Sequence, residues 1–327
     1  MIDNRPSIDL VICTYNNAAL LDRTLAAIAR QQVSSQVQWS VLVVDNNCTD
    51  TTGEIVKTYV RSNTIPQLRR IVEPRQGLTY ARLCGIQNTT ADWIAFVDDD
   101  CLLAADWVEQ AVKFAAAQPD CGAFGGQVIL NWEVPPPSFM IDFGYSFAQQ
   151  EHGDRPKIVS CLVGAGLIVR REAIAATGWI EKQFMSDRVG KRLVSGGDVE
   201  MALRIAAKYD LWYTPTCQLH HIIPAWRTTE IYLQKINYGL GTSQVFGDSM
   251  TWADSYFNWI YTSIQETLKA SIAILIAAVK AQIQRRSAPE VAITWSFLQG
   301  KWAGIWRMLW LDAAERRSLL GCATLRG

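Results

Sequence analysis

The chain has 327 residues, 49% of them apolar, and its 31 basic and 31 acidic side chains cancel. That length suits a catalytic domain of about 200 to 250 residues with a smaller appendage, and the charge balance leaves no positive field to condense on nucleic acid, which drops from the expected partners. The eight cysteines, Cys13, Cys84, Cys121 and Cys217 among them, form no Cys-x-x-Cys pair, which argues against a zinc ribbon, a thioredoxin motif or a disulfide framework and for reduced, mostly buried small hydrophobes.

Met1 to Leu10 has no basic stretch followed by an apolar one, so a cytoplasmic location is expected. The first hundred residues alternate short apolar runs with helical patterns, the form of strand-helix units laid into a mostly parallel sheet. Strands are predicted at Ile8 to Cys13, Trp39 to Val44, Leu68 to Val72 and Trp93 to Val97. Between them, Leu21, Leu25 and Ile28 recur at helical spacing, Thr51 with Glu54 reads as a capping box opening a second helix, and a third is predicted over Leu78 to Asn88. Ligands of open α/β sheets sit at the carboxyl ends of the strands. The tips to inspect are therefore Thr14 to Asn17, Asp45 to Asn47, Glu73 to Gly77 and Asp98 to Asp100.

Farther along, Gly122 to Leu130 and Leu162 to Arg170 read as strands, with Pro135-Pro136-Pro137 as a rigid loop between them. Val199 to Tyr209 reads as a helix with Val199, Ala202, Leu203 and Ala206 on one face. Beyond Trp226 the pattern is helical, and six of the thirteen tryptophans lie between Trp252 and Trp310. A catalytic domain over residues 1–235 and a helical region over 236–327 are expected, the change falling between Thr228 and Gly241.

Asp98, Asp99 and Asp100 follow the apolar strand Trp93 to Val97. Three adjacent anions repel, and a divalent cation such as Mg²⁺ or Mn²⁺ would neutralise them, completing its shell with waters and substrate phosphates; the plain alternative is a solvated acidic turn. Alternation along an extended chain puts Asp98 and Asp100 on one side and Asp99 on the other. Arg75 and Arg82 flank Gln76-Gly77, where a guanidinium could meet a diphosphate and Gly77 would let backbone approach it. Arg69 and Arg70 read as basic surface.

These residues carry a resemblance to the family 2 glycosyltransferases, seen in Val11-Ile12-Cys13-Thr14-Tyr15-Asn16-Asn17, Val43-Val44-Asp45-Asn46-Asn47-Cys48-Thr49-Asp50, Gly77 with Ala81-Arg82, Asp98-Asp99-Asp100, and Gly196-Gly197-Asp198-Val199-Glu200 with Leu203-Arg204. The pieces occur in the family's order over about the first 225 residues. The resemblance implies the GT-A fold, a Rossmann-like nucleotide-binding sheet flanked by helices. It implies an inverting, metal-dependent transfer of one sugar from a UDP- or dTDP-sugar to a carbohydrate or lipid-linked acceptor, in surface polysaccharide assembly.

By the same resemblance, Cys13, Thr14 and Tyr15 line the nucleobase pocket and Asp45 and Asn46 bond the base. Arg82 meets the diphosphate, Asp98 the ribose and metal, and Asp100 the metal, with Asp99 in support. Asp198 is the base that takes the acceptor's proton; alone it would read as a helix N-cap. Its helix N-terminus would favour the anionic form, leaving it ready but a weaker base. His221 joins the donor phosphates or metal, or simply packs. Three departures stand out: Cys13 replaces a common proline, Asn46 a frequent aspartate, and Gly197 an acidic residue, leaving Glu200 as the partner expected beside Asp198. The chain lacks the Gln-x-x-Arg-Trp motif of long-polymer synthases, so one sugar per encounter is expected.

Two rival functions have weaker support in the sequence. Gly164-Ala165-Gly166 resembles a dinucleotide fingerprint but lacks the third glycine and the N-terminal strand context, and a degenerate scaffold would be expected to have lost Asp198 or Asp100. In the helical region, Ile264, Leu268, Ile272, Leu275, Ile276, Val279 and Ile283 share a face, but only ten residues separate Lys269 from Lys280, too few at about 1.5 Å each to cross about 30 Å of hydrocarbon. Trp295, Trp302, Trp306 and Trp310 with Lys301, Arg307, Arg316 and Arg317 suit a membrane interface. Packing on the catalytic domain or on a second subunit is the alternative.

Overall fold

The computed structural model describes residues 5–185, 187–188, 193, 196–285 and 287–323. Its elements run β1 (Ile8–Thr14), α1 (Ala18–Ile28), β2 (Trp39–Asp45), α2 (Thr52–Ser62), β3 (Arg69–Val72), α3 (Leu78–Gln87), β4 (Trp93–Asp98), β5 (Cys101–Leu103) and α4 (Trp107–Ala117). There follow β6 (Cys121–Gly125), β7 (Val128–Trp132), a 3₁₀ segment Ser138–Phe147, β8 (Lys157–Ile158), β9 (Leu167–Arg170), α5 (Arg171–Ala175), α6 (Gly197–Ala206), β10 (Asp210–Tyr213) and β11 (Leu219–Ile223). The chain closes with α7 (Glu230–Met250), α8 (Tyr256–Ile283), α9 (Pro289–Leu309) and α10 (Ala313–Leu319).

Eight strands form one sheet in the order β3-β2-β1-β4-β9-β6-β10-β8, and β5-β11-β7 form a smaller one. The four predicted N-terminal strands are present and mutually parallel, so their carboxyl ends share one edge. The interior strands β1, β2 and β4 are buried almost throughout, as expected of a parallel sheet covered on both faces. One apolar cluster lies against α1 and α4, and a second against α3 and α6. Register sets Thr14 opposite Asp45 and Cys13 opposite Asp98, which brings three chemistry-bearing tips side by side.

The middle of the chain departs from the reading of its pattern. The predicted strand Gly122 to Leu130 is two strands in two different sheets, β6 and β7. The break is at Gly126, where a Cβ would lie only 1.6 Å from the carbonyl oxygen of Cys217, so the chain bends away past that backbone. The strand predicted from Leu162 starts only at Leu167, because residues 164–166 turn beside the site, with Gly166 at φ +73°. Thr51 sits at the α2 N-cap but makes no side-chain cap; the Asp50 carboxylate accepts instead from Thr52 N and Oγ1. All eight cysteines are free thiols, with four buried, two half-buried and two exposed.

The helical region begins at α7, whose N-cap Thr229 accepts from Tyr232 N, inside the window Thr228 to Gly241. α7 and α9 meet backbone to backbone, a Cβ on Gly241 falling 2.0 Å from Phe297 O and one on Gly300 2.0 Å from Tyr238 O. Tyr232, Leu233 and Ile236 of α7 join Met140, Phe143 and Ile223 in one cluster, so the base of the helical region is fused to the sheet domain. The expectation that this region is too short to span does not hold for α8: the helix is 28 residues long, and by length and composition alone it could cross a membrane. The two lysines interrupt the apolar run without shortening the helix. Leu268, Ile272, Leu275, Ile276, Val279 and Ile283 are all exposed on it.

Candidate active site

β4 ends at Asp98, and Asp99 and Asp100 form a turn into β5. The three carboxylates are therefore separated by a turn rather than by strand alternation, yet they still part to two sides. Asp99 accepts from Thr14 Oγ1 at 2.6 Å and from Asn17 Nδ2 at 2.7 Å, which ties it to the β1 tip. Burial, with the Asp100 charge beside it, pushes the Asp99 carboxyl up to about 7.

Asp100 lies on the other side, against the small sheet. Its carbonyl accepts from Ile222 N at 2.9 Å, and its Oδ2 accepts from Arg227 Nη1 at 2.9 Å. His221 Nε2 stands 3.2 Å from Oδ1, within ion-pair reach when the imidazole is protonated, and that buried oxygen has no other polar partner among the described residues. Burial works against the Asp100 charge, but His221 and Arg227 outweigh it and hold the carboxyl far below its ordinary range. His221 Nδ1 lies 2.7 Å from Phe147 O. Although burial opposes its charge, Asp100 raises the affinity of that imidazole for a proton.

The ligand atoms of Asp98, Asp100 and Cys101 come within 4.8 Å of one another. Burial first, then the Asp100 charge, pushes Asp98 upward. The chemistry of these residues would fit a hard divalent cation, since two buried or half-buried carboxylates come together there and such ions take oxygen ligands. Cys101 does not add to the set, because burial raises its thiol well above the ordinary value and a hard cation prefers oxygen.

On the base side, the structure gives several side chains structural partners. The buried Asp45 carboxylate accepts from Arg70 Nε at 2.9 Å and from Cys48 N at 2.8 Å. Arg70 is thus an ion-pair partner of the site, not plain basic surface. Asn46 Nδ2 donates to Glu73 O and Arg75 O, and its Oδ1 accepts from Gly77 N at 2.8 Å. Both amide hydrogens of Asn46 thereby staple the β2 tip to the loop before α3, so neither is free for a base. Arg75 pairs with Glu73 at 2.8 Å and stacks on Tyr80. Thr14 is buried, Cys13 half-buried, and Tyr15 is 41% exposed, the one aromatic at this tip open to a planar ligand.

Asp198 lies in the first turn of α6, one residue inside the helix, whose N-cap is Gly196. It is not the cap. Asp187 Oδ1 accepts from Gly197 N at 3.0 Å and Gly196 N at 3.3 Å, and Asp198 Oδ1 is buried with no hydrogen-bond partner among the described residues. Gly164 makes room for it: a Cβ there would fall 2.3 Å from Asp198 Oδ2. Arg82 is buried and donates to Asp187 Oδ2 at 2.7 Å. Burial works against its charge, but Asp187, Asp198 and Asp98 keep it firmly protonated.

Glu200 departs from the role expected of it. It accepts from Phe184 N and Met185 N and pairs with Arg204, so it holds the preceding loop rather than partnering Asp198. Asp187 and Arg227 carry no signal of a role in the sequence pattern around them, while Arg70 and Gly164 take roles other than the basic surface and the dinucleotide-like stretch expected of them. Gly-Gly before Asp198 was the available signal for Asp187, since paired glycines admit a group close to backbone.

The arrangement brings together two carboxylates with the chemistry of a cation site, a buried guanidinium paired with Asp187, and on a separate helix a carboxylate with an oxygen that has no partner among the described residues. Residues 9–178, just over half of the chain, match the family model described as Glycosyl transferase family 2. The glucosyl-dolichyl phosphate glucuronosyltransferase of Haloferax volcanii is 23% identical over 234 residues, 68% of this chain and 71% of its own. The succinoglycan biosynthesis protein ExoM of Rhizobium meliloti is 24% identical over 236 residues, 72% of each chain. Among solved structures, the mannosyltransferase PcManGT from Pyrobaculum calidifontis, in complex with GDP-Man and Mn²⁺, matches with a TM-score of 0.60 at 20% identity, covering 94% of this chain and 88% of that one.

Proposed function

The chain belongs to glycosyl transferase family 2 and is a glycosyltransferase with the GT-A fold, and from that premise we propose that it is an inverting, metal-dependent enzyme. It moves one sugar from a UDP- or dTDP-sugar to a carbohydrate or lipid-linked acceptor in surface polysaccharide assembly. The observation that carries this reading is the Asp198 carboxylate. With Asp187 capping α6 in its place, Asp198 keeps a buried oxygen without a partner among the described residues, which suits a group that meets substrate rather than a structural cap.

In this reading Asp198 takes the proton from the acceptor hydroxyl as that oxygen attacks the anomeric carbon, and the nucleoside diphosphate leaves from the opposite face. Asp98 and Asp100 would hold Mg²⁺ or Mn²⁺, which supplies Lewis-acid stabilisation of the departing diphosphate when bound. Thr14 and Asn17 fix Asp99, and hence the turn, against β1. Tyr15 offers the base an aromatic face. Incubation with a panel of UDP-, dTDP- and GDP-sugars and Mn²⁺ is expected to release nucleoside diphosphate, and chelator to stop it. Release unaffected by chelator would remove the metal from the proposal.

The acceptor and location belong to the same proposal. Residues 256–323 carry eight basic against four acidic side chains in a chain of zero net charge, and α8 exposes six large aliphatic residues between Leu268 and Ile283. Trp306 and Trp310 are exposed on the same part of the chain. Exposed aliphatics with tryptophan and a positive surplus suit the cytoplasmic face of an anionic membrane, where a lipid-linked acceptor would lie. The protein is expected to float with phosphatidylglycerol vesicles and to stay down with purely zwitterionic ones at high salt. Failure to float with either would dispose of the membrane location.

A further inference from the structure

Asp187, 105 residues from Arg82 in sequence, joins that residue to the start of α6. Its side chain is 2% exposed. Oδ2 accepts from Arg82 Nη1 at 2.7 Å, while Oδ1 accepts from Gly197 N and Gly196 N at the start of α6. Thr79 Oγ1, from the first turn of α3, lies 3.4 Å from Oδ2. Arg82 also feels the charges of Asp198 and Asp98, after that of Asp187. One carboxylate thus ties α3 to the turn that presents Asp198, within electrostatic reach of Asp98.

Gly197 explains how that carboxylate fits. A Cβ at position 197 would lie 2.2 Å from Asp187 Oδ2, so the Asp187 carboxylate fills the volume in which a side chain at 197 would begin. An anion at this point is held by charge-assisted bonds from a buried guanidinium and by the N-terminal N–H groups of a helix, both of which favour a fixed position.

We propose that Asp187 is a positioning residue for sugar transfer: from the space Gly197 leaves open, it locks Arg82 to the N-terminus of α6 and so fixes the Asp198 carboxylate relative to Asp98. The inference rests on the reading of Asp198 as the base. Its expected size follows from geometry, since a displacement of about 1 Å at a reacting group costs about 10²-fold in rate. Without Asp187, Arg82 would lose its hydrogen-bonded partner while still feeling the Asp198 and Asp98 charges, and its charge would draw the Asp198 carboxylate out of place.

Asp187→Asn keeps the shape and one acceptor while removing the charge. Its kcat is expected to fall about 10- to 100-fold, with KM for the nucleotide sugar within about threefold of wild type. A merely structural residue would instead lower the melting temperature and change both constants together. The decisive arm moves the carboxylate along the chain: Asp187→Ser alone loses kcat, and Asp187→Ser with Gly197→Glu recovers at least about tenfold of that loss. Should Asp187→Asn fail to fold, this exchange pair carries the test.

The proposal is overturned if Asp187→Asn holds kcat within about twofold of wild type, or if the exchange variant recovers nothing. Asp198→Asn measured alongside separates the two readings. If Asp198→Asn is inactive while Asp187→Asn is unaffected, only the positioning role falls; if the wild-type protein transfers no sugar, both fall.

Discussion

Asp198→Asn is expected to lower kcat by about 10³-fold while leaving nucleotide affinity within about threefold of wild type. The amide fills the same space and cannot take a proton. No helix cap is removed with the charge, because Asp187 supplies it, and Asp198 Oδ1 has no hydrogen-bond partner to lose among the described residues; the buried Arg82 keeps the Asp187 and Asp98 charges. Asp198→Glu makes the complementary case. Gly164 already stands so close that a Cβ there would reach 2.3 Å from Asp198 Oδ2, so a longer side chain must shift and is expected to cost about 10²-fold. Steady-state kinetics with saturating acceptor measures both. Turnover by Asp198→Asn above about a tenth of wild type would mean that another group takes the proton.

The second large effect is expected at Asp100. Asp100→Asn should weaken Mn²⁺-dependent nucleotide binding by about 10- to 100-fold and leave metal-free binding unchanged. Asparagine is the informative choice. Alanine would strand the buried Arg227 charge without its ion-pair partner, at about 3 to 5 kcal/mol, and lost folding would be mistaken for lost metal. The asparagine carbonyl still accepts from Arg227 Nη1, which lies 2.9 Å from Asp100 Oδ2. Titration of nucleotide into the variant with and without Mn²⁺ reads the difference. Equal metal dependence in variant and wild type would place the cation elsewhere.

Much of the sheet was legible because interior parallel strands are short apolar runs ended by polar residues, and β1, β2 and β4 follow that form closely. Their shared edge follows from parallel order alone, so Thr14, Asp45 and Asp98 were brought together before any contact was seen. Contacts that depend on distant backbone were not legible. The carbonyl of Cys217 divides the run from Gly122 to Leu130 between two sheets, and nothing near Gly126 in sequence announces it.

The base-side residues show the same limit in charge. Asp45 and Asn46 sit where expected, yet Arg70 and the loop before α3 take up their hydrogen-bonding groups, partners supplied by the next strand and by the loop after it. Glu200 has the right spacing to accompany Asp198 on a helix, but in the first turn it points its carboxylate at Phe184 N and Met185 N. The Gly164-Ala165-Gly166 stretch looked like a fragment of a phosphate loop. Its first glycine instead gives Asp198 room.

The central claim is that two carboxylates on one turn and one on α6 make a metal-assisted sugar-transfer site, and calorimetric titration of UDP and dTDP tests it most directly. One of the two nucleotides is expected to bind with Mn²⁺ present, to be released by chelator, and to bind Asp198→Asn as tightly as wild type. Absence of any metal-dependent nucleotide binding by the wild-type protein would contradict the account.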